Sequence, residues 1–156
     1  VVGNLWVKGE TAALAYLRRD EQSRRTFRGE WLVTGDKYSR DAEGYYWHAG
    51  RADDMLKVGG IWVSPAEVEQ ALVSHPDVLE AAVIGVADDQ DLVKPKAFVT
   101  LKPGIAGSPA LAEALKRHVK DRLAPFKYPR WIEFLPELPK TATGKIQRFK
   151  LRSAKA

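Results

Sequence analysis

The 156-residue chain contains no cysteine. A thiol nucleophile, a disulfide framework and a thiolate metal site are thereby excluded. The same absence fits a reducing compartment, and a cytoplasmic location is expected. Long hydrophobic runs are also missing. None approaches the ~20 residues that cross a bilayer, so no membrane-spanning helix is expected. Histidine is scarce: His48, His75 and His118 stand far apart, without metal-ligand spacing. A structural or surface role is expected for each, and no metal site. Gly144-Lys145 is followed by Ile146 rather than Ser or Thr, and Pro139 stands where a phosphate loop needs glycine, so this is no Walker loop. No G-x-S-x-G occurs, which excludes a hydrolase elbow. No acid follows Glu137, whereas Lys140, Lys145, Arg148, Lys150, Arg152 and Lys155 are all basic. Residue 1 is Val and no signal-peptide pattern opens the chain, so a piece of a longer protein is expected.

What is present suits a soluble globular protein, with 45% hydrophobic and 29% charged residues. The net charge of +5 suits an anionic partner, whether nucleic acid, a membrane surface or a phosphorylated small molecule. The segment "NLWVKG" alternates into glycine as a short strand. Residues 11–27, free of Gly and Pro, predict a helix. "EWLVTGD" reads as a strand running into a turn. "RDAEGYYWHAGR" reads as a hairpin turning at residues 41–44, and "DMLKVGGIWV" as one turning at Gly59-Gly60. "SPAEVEQALVSHP" carries a helix start: Ser64 as cap, Pro65 in the first turn and Glu67 to complete a capping box. Val68, Ala71 and Leu72 share its apolar face. Two apolar strands follow, "VLEAAVIGV" and "KAFVTLK", the second bounded by Pro95. Ser108-Pro109 then opens a helix with Leu111, Leu115, Val119 and Leu123 on one side, and "RWIEFL" is a last strand. From Asp54 the order is ββ-α-β-β-α-β plus a basic tail, an α/β (α+β) unit of about 100 residues, within the usual domain size. The segment before it is mainly β and incomplete on its own.

The carboxylates form no evident acid/base pair. Asp88-Asp89-Gln90-Asp91 reads as a solvated loop between strands. Three places offer chemistry, and each has a plainer reading beside it. In Thr34-Gly35-Asp36, a carboxylate past a strand can accept two hydroxyl hydrogen bonds, as a ribose diol requires, or can form an ordinary Asx turn. In "GRADDMLKVGG", the forked donors of Arg51 can bind phosphate and Gly59-Gly60 can admit a ligand close to the backbone; the alternative is a salt-bridged hairpin. In "LPKTATGKIQR", Lys145 beside Gly144 can swing into a site, or can belong to a solvated or nucleic-acid-binding tail.

Together and in this order, "WLVTGD" (31–36), "GRADDMLKVGGIWVSPAEVE" (50–69) and "LPKTATGKIQR" (138–148) resemble the C-terminal part of acyl-adenylate-forming enzymes. That superfamily includes acyl-CoA synthetases, luciferases and nonribosomal-peptide adenylation domains. "NLWVKGETAALAY" resembles its G-E-L-x-V-x-G segment, with Asn4 in place of the common Glu. Within the superfamily, "KPKAFV" and the stretch from Asp121 to Arg152 are most similar to the benzoate-CoA and related aryl-CoA ligases.

The resemblance implies a β-rich remnant of a large N-terminal domain over residues 1–52. It implies a small mobile C-terminal lid domain over 53–156, with a short hairpin and a mixed sheet flanked by helices. It implies a two-step reaction in which a carboxylic acid, aromatic by this likeness, and ATP give acyl-AMP, after which CoA takes the acyl group. Asp36 matches the aspartate on the ribose hydroxyls, Arg51 the arginine near the phosphates and ribose, and Asp53 the hinge. Lys145 matches the catalytic lysine of adenylation, Gly59 and Gly60 the pantetheine tunnel, and Phe126 and Arg130 contacts to the CoA nucleotide. Trp62 departs from relatives that carry Arg or Lys there, and packing of its indole at an interface is expected instead. A mobile Thr-Ala-Thr-Gly loop is expected around Lys145, with Arg148, Lys150 and Arg152 raising the positive potential. Mg²⁺ would accompany ATP on ligands outside this chain. The phosphate loop and acyl pocket belong upstream, so the isolated piece is expected to be inactive. Two other readings remain open: a domain that loads a carrier protein, and a basic nucleic-acid-binding module.

Overall fold

The computed structural model of the chain describes residues 2–153, so Lys155 of the basic tail lies outside the described residues. The chain divides between Asp53 and Asp54 into two units, each described by itself.

In the first unit, β1 (Val2–Val7), β2 (Phe27–Arg28), β3 (Trp31–Arg40) and β4 (Tyr46–Arg51) form one antiparallel sheet. β3 is the central strand: β1 runs along one edge, and β2 and then β4 share the other. The hairpin expected at residues 41–44 is present. Asp41 Oδ1 accepts the backbone N–H groups of Glu43 and Tyr45, at 3.0 and 2.9 Å, and Oδ2 accepts the Trp47 indole N–H at 2.7 Å. Those bonds, the indole first, hold its carboxyl below the usual range.

Two expectations fail here. The helix predicted over 11–27 forms only as α1 (Asp20–Thr26). Arg18 is left-handed at φ 56°, and the Ser23 hydroxyl accepts from Tyr16 N–H and donates to Arg19 C=O, so a side chain competes for the backbone. Leu14 and Leu17 are 94% and 88% exposed, leaving no buried stripe to stabilise earlier turns. Thr34-Gly35-Asp36, expected to leave the strand in a turn, lies inside β3, which continues to Arg40. Gly35 takes φ +77° where the β1 register slips between Asn4 and Trp6, so the segment is a bulge.

The second unit opens with β5 (Leu56–Val58) and β6 (Ile61–Val63), which turn at Gly59 and Gly60 as expected. Then come α2 (Pro65–Val73), β7 (Val78–Ala87), β8 (Val93–Leu101), α3 (Pro109–Lys120), a 3-10 turn (Pro125–Lys127), β9 (Trp131–Phe134) and α4 (Arg148–Ser153). Ser64 and Ser108 cap their helices, accepting from Glu67 N–H and Leu111 N–H at 3.4 and 3.1 Å. β7 and β8 are antiparallel and β9 joins β8 in parallel, giving a mixed sheet. Pro95 does not bound β8; it lies within it. Its carbonyl accepts Arg130 N–H at 2.8 Å, so its nitrogen faces the same side, at a level where β9 has not yet begun and no ladder donor is needed. Asp88 closes the β7–β8 turn by accepting from the backbone of Gln90 and Leu92, as its loop reading required.

Because successive side chains of a strand face opposite ways, the sheet buries two cores. Ala81, Val83, Ala97 and Val99 face α2 and α3 with Leu72, Leu115 and Val119. Ala82, Ile84, Val86 and Phe98 face the other way, onto Leu138 and Leu151. The expected basic tail is therefore corrected: its far part is α4, which anchors Leu151, 5% exposed, in the second core. Among the described residues no helix is long and apolar enough to cross a membrane.

Candidate functional site

In the first unit the β3 bulge assembles a polar cluster. The Thr34 hydroxyl donates to Leu5 C=O at 2.9 Å and accepts Asp36 N–H at 3.1 Å. Thr34 thus supplies the side-chain turn, not Asp36, and the Asp36 carboxylate is left for other partners. Antiparallel pairing sets Arg51 opposite Asp36. Arg51 Nη1 donates to Asp36 Oδ1 at 3.3 Å and to Thr34 C=O at 3.2 Å, and Nε donates to Asp53 Oδ1 at 3.3 Å. Partial burial pulls the guanidinium pKa down, but Asp53 and then Asp36 outweigh it and raise it.

The glycine between Thr34 and Asp36 has a double cause. Its φ is left-handed, and a Cβ there would come within 3.0 Å of Arg51 Nη2. The structure therefore joins Asp36 of one motif to Arg51 and Asp53 of the next. It adds His48, whose Nε2 lies 4.0 Å from Asp36 Oδ1 and whose ring meets Tyr38 edge-on at 5.2 Å. Sequence reading missed His48; the hairpin register, which pairs residue 48 with residue 38, held the signal. Chemically the cluster offers a carboxylate whose Oδ2 accepts no bond from described residues, beside a forked cation. It can accept hydroxyls and bind an anion.

In the second unit Gly59 and Gly60 are both left-handed, at φ +55° and +84°, and a Cβ at either meets nothing within 4 Å. Within this unit they serve the turn rather than a close approach. Trp62, 61% exposed, pairs across the hairpin with Lys57, whose ammonium lies 5.9 Å from the indole centre.

Lys145 sits on a loop closed by hydrogen bonds. Lys140 and Ile146 pair as a bridge. Inside it, Thr141 N–H donates to Lys145 C=O at 2.8 Å, Gly144 N–H to Thr141 C=O at 2.9 Å, and Lys145 N–H to Thr141 Oγ1 at 3.1 Å. The Thr141 and Thr143 hydroxyls bond each other at 2.9 Å, and Gly144, at φ +81°, makes the reversal. The Lys145 side chain is exposed and pairs with no described residue. Its neighbours differ. Lys140 Nζ pairs with Glu80 at 2.6 Å. Arg148 grips Glu69 with Nη2 at 2.8 Å and reaches Asp54 at 3.4 Å, and Arg152 pairs with Asp54 at 2.6 Å. Arg148 and Arg152 therefore do not raise the local potential as expected, because acids of the same unit neutralise them.

Phe126, in the 3-10 turn, is half-buried against the first core. Arg130 is exposed and stacks on Tyr128, its guanidinium carbon 4.4 Å from the ring centre, while Lys120 Nζ lies 4.0 Å from the same ring. Nothing in the order of residues signals that His75 and His118 meet. Their rings are 5.0 Å apart, edge to face, and His118 Nε2 bonds Ser74 Oγ at 2.8 Å. Burial, then Arg122 and His75, push the His118 imidazole down. A depression of about 670 Å³, lined by Lys8, Phe27, Trp31 and neighbours, includes none of Asp36, Arg51, Asp53 and Lys145. Among the described residues no group of three or more His, Asp or Glu is placed to hold a metal.

Comparison with known proteins places the chain in a family. The chain is 60% identical over 154 residues to the benzoate–CoA ligase of Thauera aromatica, covering 99% of the chain and 29% of that protein. It is 53% identical over 152 residues to the 4-hydroxybenzoate–CoA/benzoate–CoA ligase of Rhodopseudomonas palustris, covering 97% and 28%. The chain therefore spans less than a third of the length of these curated relatives. Among solved structures, the anthranilate CoA ligase AuaEII in complex with anthranoyl-AMP superposes with a TM-score of 0.94 at 63% identity, covering 99% of this chain and 30% of that one. A benzoate CoA ligase from Burkholderia xenovorans LB400 gives 0.89 at 60% identity, covering 97% and 30%. The family description "AMP-binding enzyme C-terminal domain" matches residues 67–145, from the first turn of α2 to Lys145 itself. With half its length matched in this way, the chain belongs to the AMP-binding enzyme C-terminal domain family.

Proposed function

We propose that the chain is the C-terminal part of a cytoplasmic, AMP-forming aryl-CoA ligase that takes benzoate or a close aromatic acid. The acid and ATP give acyl-AMP and pyrophosphate; the thiol of CoA then displaces AMP to give the thioester. The observation that carries this reading is the Lys145 ammonium, exposed and without a partner among described residues, on a tight loop whose stems are neutralised. The similarity to benzoate and anthranilate ligases supports the aromatic substrate.

Adenylation brings a carboxylate against an anionic triphosphate, and negative charge concentrates on the reacting phosphoryl group. Lys145 bridges the two repelling anions in the transition state, where its charge counts most. Asp36 accepts the ribose hydroxyls, and Arg51, held by Asp36 and Asp53, presents its free donors to the nucleotide. Residues 1–52 close the large N-terminal domain, and 53–156 form the mobile one. Asp53 is the pivot that withdraws Lys145 after adenylation. The Gly59-Gly60 turn then lines the path of the CoA thiol, and Arg130, with Phe126 behind it, meets the CoA nucleotide. Mg²⁺ arriving with ATP would take its ligands outside this chain, and no step here runs through it.

The test is Lys145→Ala in the full-length ligase. Pyrophosphate release from acid and ATP should fall by roughly 10²–10³, while supplied acyl-AMP and CoA should still give thioester at the parent rate. Equal loss in both halves would refute the assignment. The isolated 156-residue chain should show no ligase turnover.

A further inference from the structure

Lys145 can serve only one half-reaction if its ammonium arrives at a defined place, and the five-residue loop between the bridge partners Lys140 and Ile146 does not define its own position. Its local bonds fix the loop's shape. They do not fix where that loop sits on the unit. The stems decide this, and each is tied by an ion pair to an element far off in sequence, one to β7 and the other to α2. Upstream, Lys140 Nζ holds Glu80 of β7 at 2.6 Å. Downstream, Arg148 holds Glu69 of α2 with two nitrogens: Nη2 lies 2.8 Å from both carboxylate oxygens and Nε 3.2 Å from Oε1.

Glu69 is in turn fixed to the sheet, because its Oε1 accepts Val83 N–H at 2.8 Å. Arg148 extends the chain of charges through Nη1 to Asp54, which also takes Arg152 at 2.6 Å. The order Glu69, Arg148, Asp54, Arg152 alternates in sign. Three of the four are well covered, with side-chain exposures of 13% for Glu69, 21% for Arg148 and 18% for Asp54. α4 needs such help. At six residues it is too short to persist alone, and it buries only Leu151. Arg148 is its first residue, three positions after Lys145.

We infer that Arg148 is a positioning residue for adenylation: clamped on Glu69 and Asp54, it holds the stem that carries Lys145 and so sets where the ammonium is delivered. It touches no substrate. The guanidinium fork is what the role needs, since its planar, bidentate grip fixes direction as well as distance. The inference rests on the adenylation role of Lys145 proposed above.

The experiment uses the full-length ligase and measures both half-reactions for Arg148→Met, Arg148→Lys and Lys145→Ala. Methionine keeps the apolar stem and removes the fork. Misplacing the lysine by about an ångström should lower kcat for pyrophosphate release by roughly 10- to 100-fold, with KM for ATP unchanged. Thioester formation from supplied acyl-AMP should stay at the parent rate. Lysine at 148 restores charge without the fork and should recover only part of the loss. If Arg148→Met does not fold, Glu69→Gln replaces it. Gln keeps an acceptor for Val83 N–H and removes the ionic half of the clamp, and the same split is expected. Equal loss in both half-reactions, or none, overturns the positioning role while Lys145→Ala still splits them. If Lys145→Ala itself fails to split them, both the lysine assignment and the positioning role fall.

Discussion

Gly59 separates two reasons for a glycine that are usually entangled. Both central residues of the β5–β6 turn are left-handed, the pair of signs that a type I′ hairpin requires. A Cβ at position 59 meets nothing within 4 Å, so alanine there adds strain without a clash. An L-residue in that region costs roughly 1–2 kcal/mol. Loss of unfolded-state freedom returns about 0.4–1 kcal/mol. The net for Gly59→Ala is therefore about 1 kcal/mol, which for a unit of this size lowers the melting temperature by roughly 4–8 °C. Asparagine tolerates left-handed backbone and is favoured at this turn position, so Gly59→Asn should melt close to the parent. Circular-dichroism melts of the 156-residue chain read these differences. If alanine melts like the parent, or asparagine as low as alanine, the conformational argument is wrong. The same asparagine variant in the full-length ligase then tests the path of CoA. With stability preserved, slower thioester formation from acyl-AMP supports a tunnel lined by this turn, and an unchanged rate removes the turn from it.

The paired histidines give a pH signature of known sign. Unfolded, His118 takes up a proton near its ordinary value of about 6.5. Folded, burial with Arg122 and His75 resists the proton, so stability should be full above that value and decline as pH falls through the region beneath it. His118→Gln should flatten the slope in chemical-denaturation midpoints measured across that range; an unaltered slope contradicts the assignment. At the start of α3, Ser108→Ala removes the acceptor for Leu111 N–H and should cost about 1 kcal/mol in thermal unfolding. A loss no larger than at an exposed mid-helix serine would show that the cap is dispensable.

Where local chemistry dictated structure, the sequence was legible. Ser64-Pro65 and Ser108-Pro109 opened helices because a hydroxyl and a pre-set φ act within one turn. The glycine pair at 59–60 turned a hairpin because no other residue adopts that backbone as cheaply. The mostly apolar run "VLEAAVIGV" announced a strand, which the structure buries on both faces. Residues 11–19 misled because an uninterrupted stretch of helix formers still needs a partner for Leu14 and Leu17, and the first unit supplies none. Pro95 misled because a missing donor matters only where a neighbouring strand would use it.

The motifs themselves, and with them the family and the candidacy of Asp36, Arg51 and Lys145, were determined by the order of residues along the chain. Which charges are available was decided by tertiary structure alone. Lys140, Lys145, Arg148 and Arg152 are equal as letters. Folding brings Glu80, Glu69 and Asp54, 60 to 98 positions away in the chain, against three of them and leaves Lys145 exposed. The same holds for Asp36, which meets Arg51 and His48 only because β3 and β4 pair in one register. An ion pair depends on distance in space, and that distance is set by how sheets and helices close over their cores.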